Sequence, residues 1–213
     1  MKIVEAIDVA AAGSFLRTKS WQRATADVET AIETADWPHG SGLFSLNPEP
    51  ISGHDGKLDR HPNGVQPIKL PMIEHLASRG WATEALPELP VGHEGKDVLT
   101  TGDLDALLLD RNRYVGFEWE TGNIASSHRA MNKLLDGMTR GTMQGGILAL
   151  PMRSMQRYLT DRVGNFEELS PYFEFWARYP IEDGVLRVYG TTHDVLDPLA
   201  PHIPKGKDGR ARG

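Results

Sequence analysis

Cysteine is absent from the 213 residues, which excludes disulfides and thiolate-ligated zinc and suits a reducing cytoplasm, the expected compartment. No run approaches the roughly 18 apolar residues that a membrane span needs. The N-terminus, MKIVEAIDVAAAGSFL, places Glu5 and Asp8 where a signal peptide requires an uninterrupted apolar stretch, so it reads as part of the mature fold. Internal repeats and low-complexity tracts are missing. The eight histidines lack metal-finger spacing, and His193-Asp194 reads as structural. There is no excess of positive charge either. The net charge of −6 argues against indiscriminate nucleic-acid binding, although a local cationic cleft and bound metal ions can still offset phosphate charge.

Hydrophobic residues make up 39% and charged residues 24%, the balance of a globular protein with a buried core. One domain over residues 1–213 is expected: an N-terminal helix and loop arm over 1–66, a core from about 67 to 150, and additions with a basic tail over 151–213. Trp21, Ala24, Val28, Ala31 and Ile32 recur at helical spacing and predict a helix from Lys19 to Thr34. The stretch from Trp37 to Pro67, rich in Pro, Gly, Asn, His and Asp, reads as a long loop or irregular arm. Ile68, Met72, Ile73 and Leu76 predict a second helix from Pro67 to Arg79, stopped by Gly80. Trp81 to Leu89 reads as extended. Two short strands follow, Leu104–Leu109 and Tyr114–Glu120, joined by the polar turn Asp110-Arg111-Asn112-Arg113. A helix capped by Ser126 or Ser127 runs to about Met138, and Gly145–Leu150 is a buried strand. Helical stretches at Met152–Thr160 and Phe166–Tyr179 precede a strand at Val185–Gly190. This order predicts an α/β fold, a central mixed sheet flanked by helices.

The chemistry concentrates in the hairpin. Alternate side chains of a strand share a face, so Glu118 and Glu120 point one way, and Asp103 and Asp105 share a face on the neighbouring strand. If Leu109 and Tyr114 close the turn, Asp105 falls opposite Glu118 and Asp103 opposite Glu120, with opposed Cβ atoms about 4.5–5.5 Å apart. A slip of two residues would pair Asp103 with Glu118 instead. Acids two apart on a strand commonly face solvent on the open side of a sheet. Here the surrounding Leu104, Ala106, Leu107, Leu108, Val115, Phe117 and Trp119 suggest a central position, where carboxylates are rarely left unpaired. Repelling carboxylates need protons or cations, and hard ions such as Mg²⁺ bind oxygen ligands of this kind. Two metal ions, or one ion and a base, can activate water for in-line attack on a phosphodiester. Asp105 is the preferred metal-binding aspartate with Asp103 in reserve. Glu118 is a ligand, and Glu120 is a third ligand or orients the water.

The pattern Leu104-Asp105-Ala106-Leu107, followed by Phe117-Glu118-Trp119-Glu120, resembles the PD-(D/E)XK nucleases, and among them the BamHI/BglII-like type II restriction endonucleases. In that core a helix and strand precede an acidic hairpin, and a helix and strand follow it, the order read here from Pro67 to Leu150. Most members carry Lys at the position of Glu120. Its absence means that positive charge must come from metal or elsewhere. Arg79-Gly80-Trp81-Ala82-Thr83-Glu84 resembles the helix exit and first strand of this group, which makes Glu84 a supporting metal residue, with Glu74 behind it.

Asn123, Ser126, Ser127, His128, Arg129, Asn132 and Lys133 follow the acidic strand and can set donors and cations at a helix N-terminus, a suitable place for DNA phosphate. Helix capping and a solvated polar face are the alternative. Arg60, Asn63 and Lys69 in one segment, and Arg162 in another, are weaker DNA-contact candidates, and the tail from Lys205 to Gly213 could follow the phosphate backbone. The reading is a Mg²⁺-dependent homodimer cutting double-stranded DNA at a short palindrome, paired in the host with a cognate methyltransferase. A repair or phage-type nuclease, a non-catalytic DNA-binding protein, and a glycoside hydrolase using paired carboxylates are the alternatives.

Overall fold

The computed structural model describes residues 1–52, 57–87, 102–160 and 162–205. In chain order the elements are β1 (Lys2–Ala12), α1 (Lys19–Thr34), β2 (Ser45–Leu46), β3 (Ile51–Ser52), β4 (Leu58–Asp59), α2 (Gln66–Ser78) and β5 (Ala82–Ala85). They continue with β6 (Leu104–Asp110), β7 (Arg113–Trp119), α3 (Ile124–Thr139), β8 (Met143–Pro151), α4 (Arg153–Gln156), α5 (Phe166–Leu169), α6 (Phe173–Trp176), β9 (Gly184–Thr192) and β10 (Val195–Leu196).

Six strands form one sheet in the order β1-β9-β8-β7-β6-β5. The β7/β8 and β8/β9 pairs are parallel, and the remaining three are antiparallel. The parallel step from β7 to β8 requires a crossover, which α3 supplies. Side-chain alternation along the strands builds two cores. Ala106, Leu108, Val115, Phe117, Trp119, Ile147 and Ala149 pack with Trp21, Val28 and Ile32 of α1 and Ile68, Met72 and Leu76 of α2. Leu107, Leu148, Leu150, Leu186 and Val188 pack on the other face with Met131, Leu134 and Leu135 of α3 and with Phe166 and Trp176.

Helix α1 begins where Thr18 accepts the Trp21 backbone N–H, and its buried stripe is the one its sequence spacing predicts. Helix α3 is capped by Asn123, whose side chain accepts the Ser126 N–H, and not by Ser126 or Ser127. It stops at Arg140, and Gly141 follows at φ +75°, the left-handed conformation glycine takes at a helix exit.

Several expectations are corrected. The N-terminal arm contains an eleven-residue edge strand, β1; bulges between Ile3 and Glu5 and between Asp8 and Ala10 break its alternation and hide it from a period-two pattern. The expected helix 152–160 is a single turn, because the chain leaves it so that the Tyr158 carbonyl can accept from Asn63. The expected helix 166–179 is split at Pro171, where residues Ser170–Tyr172 form a 3₁₀ turn. The irregular arm is anchored through buried Phe44 and Leu46, and Asn47 and Asn63 bind the backbone of the C-terminal segment at Pro198, Ala200 and Ile203. The end of the extended reading, at residues 88–89, and the basic tail at 206–213 lie outside the described residues. Among the described residues no helix is long and apolar enough to cross a membrane.

Candidate active site

The β6/β7 hairpin pairs Leu109 with Tyr114, Leu108 with Val115, Leu107 with Gly116 and Ala106 with Phe117. That is the register expected from the turn, and one further step sets Asp105 beside Glu118. Both acids are buried, at 7% and 6% exposure. Asp105 Oδ2 accepts the Trp119 backbone N–H at 2.7 Å, which fixes its carboxylate against the partner strand. Two lysines reach this point from helices on opposite faces of the sheet. Lys69 of α2 lies 2.6 Å from Asp105 Oδ1 and 2.7 Å from Glu84 Oε1. Lys133 of α3 contacts Glu118 Oε1 and donates to the Asp103 carbonyl at 2.7 Å.

These surroundings set the protonation equilibria. Burial, reinforced by the nearby negative charge of Asp105, pushes the Glu118 carboxyl up to about 7 despite the opposing pull of Lys133. Burial also raises Glu120, against the hydrogen bond from the Gly122 N–H and the charge of Arg129. Burial pulls Lys69 down, but its bonds to Asp105 and Glu84 outweigh that and leave its pKa above the ordinary value. Gly122 leaves room for this arrangement: a Cβ there would stand 2.7 Å from Glu120 Oε1 and 2.9 Å from Ser126 Oγ.

The structure thus brings Asp105, Glu118, Glu120 and Glu84 to one end of the hairpin. Asp103 precedes β6 with an exposed side chain, and it enters the cluster through its carbonyl. Glu74 is exposed on α2. Among the described residues no three His, Asp or Glu side chains converge closely enough to ligate one ion.

Of the residues read as DNA contacts, Asn123, Ser126 and Arg129 lie at the start of α3, where the Arg129 guanidinium is 3.4 Å from Ser126 Oγ. Ser127 is fully buried, so a duplex cannot reach it. His128 stacks edge-on against Tyr172 at 4.5 Å, and Asn132 accepts from the Trp176 indole at 3.1 Å, which gives both a packing role. A groove of about 640 Å³ runs along this outer face of α3, lined among others by His128, Arg129, Asn132, Lys133, Arg140 and Tyr179. Asn63 is wholly buried in backbone hydrogen bonds and is a structural hub, not a DNA contact. Arg60 and Arg162 are exposed, and the segment after Arg162 returns to the end of the hairpin, where the Gly164 N–H donates to the Gly122 carbonyl at 2.7 Å. Lys69 and Lys133, read from the sequence as DNA-contact candidates, lie against the acids of the hairpin. The signal that could have placed them is that buried acids on apolar strands demand cations, and that Lys133 flanks the inner stripe of α3.

A mixed six-stranded sheet between helices, with acids at the end of its central hairpin, is the architecture of restriction endonucleases. The structure of restriction endonuclease BglII complexed with a DNA 16-mer superposes on 91% of this chain and 79% of its own, with a TM-score of 0.59 at 15% identity. The family model for restriction endonuclease BamHI matches residues 1–210. The chain is 42% identical over 185 residues to the type II restriction enzyme OkrAI of Oceanobacter kriegii, spanning 87% of each. It is 33% identical over 197 residues to the type II restriction enzyme BamHI of Bacillus amyloliquefaciens, covering 92% of this chain and 86% of that one. The chain belongs to the BamHI family of type II restriction endonucleases, which sets aside the glycoside hydrolase reading.

Proposed function

We propose that Asp105, Glu118 and Glu120, supported by Glu84, hold one or two Mg²⁺ ions and that the protein hydrolyses double-stranded DNA at a short palindromic site. The observation that carries this reading is the pair of buried carboxylates, Asp105 and Glu118, each already matched to an ammonium group. The donor set fits a divalent ion. All the oxygens are hard ligands of the kind magnesium prefers, and Lys69 and Lys133 stand where positive charge is demanded. When bound, the ion supplies Lewis-acid stabilisation of the scissile phosphate and lowers the pKa of an attacking water.

The chain's own residues do the positioning. The Trp119 N–H fixes Asp105, and the Gly122 N–H holds one oxygen of Glu120, leaving its other oxygen to orient a water or ligate. Asn123, Ser126 and Arg129, at the helix N-terminus that follows at once, are placed to bind phosphate and so set the register of the duplex. A two-fold symmetric site on DNA is met by a homodimer. A cognate methyltransferase protects host DNA, and both partners act in the cytoplasm.

The test is digestion of a plasmid and an unmodified phage genome with Mg²⁺, with EDTA, and with Glu118→Ala. Discrete fragments that need Mg²⁺ and vanish in the variant are expected. Binding of DNA without cleavage in any divalent metal would overturn the catalytic assignment.

A further inference from the structure

The two lysines of the cluster are themselves unexplained by the proposed chemistry, since neither is needed to ligate an ion. They differ from ordinary surface lysines in what they touch. Lys69 Nζ bridges Asp105 Oδ1 at 2.6 Å and Glu84 Oε1 at 2.7 Å. Lys133, with its side chain only 13% exposed, joins Glu118 Oε1 to the Asp103 carbonyl. Each ammonium therefore sits on one of the two buried acids and takes a second oxygen from the chain preceding or leading into the same hairpin. They arrive from α2 and α3, on opposite faces of the sheet, so neither can substitute for the other.

Buried carboxylates without a cation would repel one another and lose their hydration uncompensated. An ammonium at hydrogen-bond distance offsets part of that cost. It also sits on one oxygen of each carboxylate, Asp105 Oδ1 and Glu118 Oε1, and its charge repels a divalent ion. We propose that Lys69 and Lys133 are internal counter-cations of the metal-free protein, which a divalent ion must displace from Asp105 and Glu118 in order to bind. The inference rests on the metal-site reading given above. The lysines keep the site folded and assembled when no metal is present, at the cost of weaker metal affinity. Metal binding is then an exchange of cations at the end of the hairpin, with the acids drawing together as the ammonium groups leave.

Calcium is the probe, because binding can be read without turnover. Calorimetric titration of Ca²⁺ into the full-length protein is compared for the wild type, Lys69→Met, Lys133→Met, Lys69→Arg and Lys133→Arg, with thermal unfolding in EDTA and in Ca²⁺. Each Met variant is expected to bind Ca²⁺ about tenfold more tightly, within the range of ordinary coupling between two ligands. Each should also unfold at a lower temperature in EDTA, with Ca²⁺ restoring more of its stability than in the wild type. The Arg variants, which keep the charge, should return towards wild-type affinity. Equal or weaker Ca²⁺ affinity in the Met variants overturns the proposal while leaving the metal site intact. Failure of every form to bind Ca²⁺ overturns the metal-site reading, and this inference falls with it. A measurement on the unsubstituted protein guards against variants that do not fold: in ¹⁵N-lysine-labelled protein, Ca²⁺ should shift or broaden the two slowly exchanging ammonium signals of Lys69 and Lys133. Signals unchanged by saturating Ca²⁺ also overturn the proposal.

Discussion

Two charged clusters lie on the same sheet, and they are built to opposite ends. Beside β9, Arg187 forms a two-pronged pair with Asp8, at 2.6 and 2.9 Å, and its guanidinium lies 5.4 Å from the centre of the Trp21 ring. Tyr189 donates to Glu29 at 2.6 Å, so both acids of that group meet a planar or fixed donor. At the end of the β6/β7 hairpin, by contrast, four acids share two lysines that arrive from different helices. Single ammonium groups on flexible stems take the place of a guanidinium fork, and burial drives Glu118 towards neutrality. The first cluster ties β1 and α1 to the sheet. The second keeps its charge adaptable, as a site that exchanges ligands must.

The sharpest way to break this contrast is to remove charge from each cluster in turn. Asp105→Asn preserves shape and the acceptor for the Trp119 N–H but removes a carboxylate from the proposed metal site. Cleavage is expected to fall by about a thousandfold, the upper range for loss of one key electrostatic group, with circular dichroism unchanged and the melting temperature lowered by the loss of the Lys69 pair. Retained cleavage would move the metal site away from Asp105.

The next largest effect is on stability. In the folded protein the Glu118 carboxyl titrates near 7, against an ordinary value of 4.5. The native state holds this proton more tightly than the unfolded chain, so Glu118 leaves stability untouched below about pH 4.5. Stability then declines as the pH rises towards 7, and levels off above it. At 1.4 kcal/mol per pH unit the decline is about 3 kcal/mol at most. Glu118→Gln cannot ionise. The metal-free variant should therefore unfold at a higher denaturant midpoint than the wild type near pH 8, with the gap closing towards pH 4.5, while cleavage is lost. A gap independent of pH would show that Glu118 is not the group that titrates.

Arg187→Met tests the other cluster. The pair is partly exposed, with side chains at 20% and 27%, so the expected loss is about 2 kcal/mol and not the larger cost of stranding a fully buried charge. Cleavage per folded molecule should be unchanged, as measured by denaturant midpoint beside specific activity. A large fall in specific activity at unchanged stability would join the two clusters functionally.

The same contrast explains what the sequence made legible. Helices α1 and α3 follow from the spacing of Trp21, Ala24, Val28 and of Met131, Leu134, Leu135, because local periodicity governs burial of a helix face. The hairpin register, and with it the proximity of Asp105 and Glu118, follows from closing a short polar turn. Strand β1 was hidden by its bulges. Lys69, Lys133 and Asn63 stood out as DNA-contact candidates, but their actual contacts were hidden because the partners lie on other elements, and no local pattern distinguishes a lysine that turns inward from one that faces water.

The smallest expected effect is also the most selective. Gly122 carries no left-handed strain, so an added methyl costs nothing in backbone conformation. Yet its Cβ would come 2.7 Å from Glu120 Oε1 and 2.9 Å from Ser126 Oγ. Glu120 must then rotate away or lose the hydrogen bond from the Gly122 N–H, while the cores on both faces of the sheet are untouched. Gly122→Ala should therefore lower the single-turnover cleavage rate by about tenfold, since displacements near 1 Å at reacting groups can cost up to about a hundredfold. The melting temperature should stay within a degree or two of wild type, for want of any core change. If the rate is unchanged, Glu120 lies outside the reacting geometry and the working acids reduce to Asp105 and Glu118. If stability falls in step with rate, the turn that follows β7 is part of the scaffold, and the hairpin end resembles the Arg187 cluster more closely than its flexible ammonium groups imply.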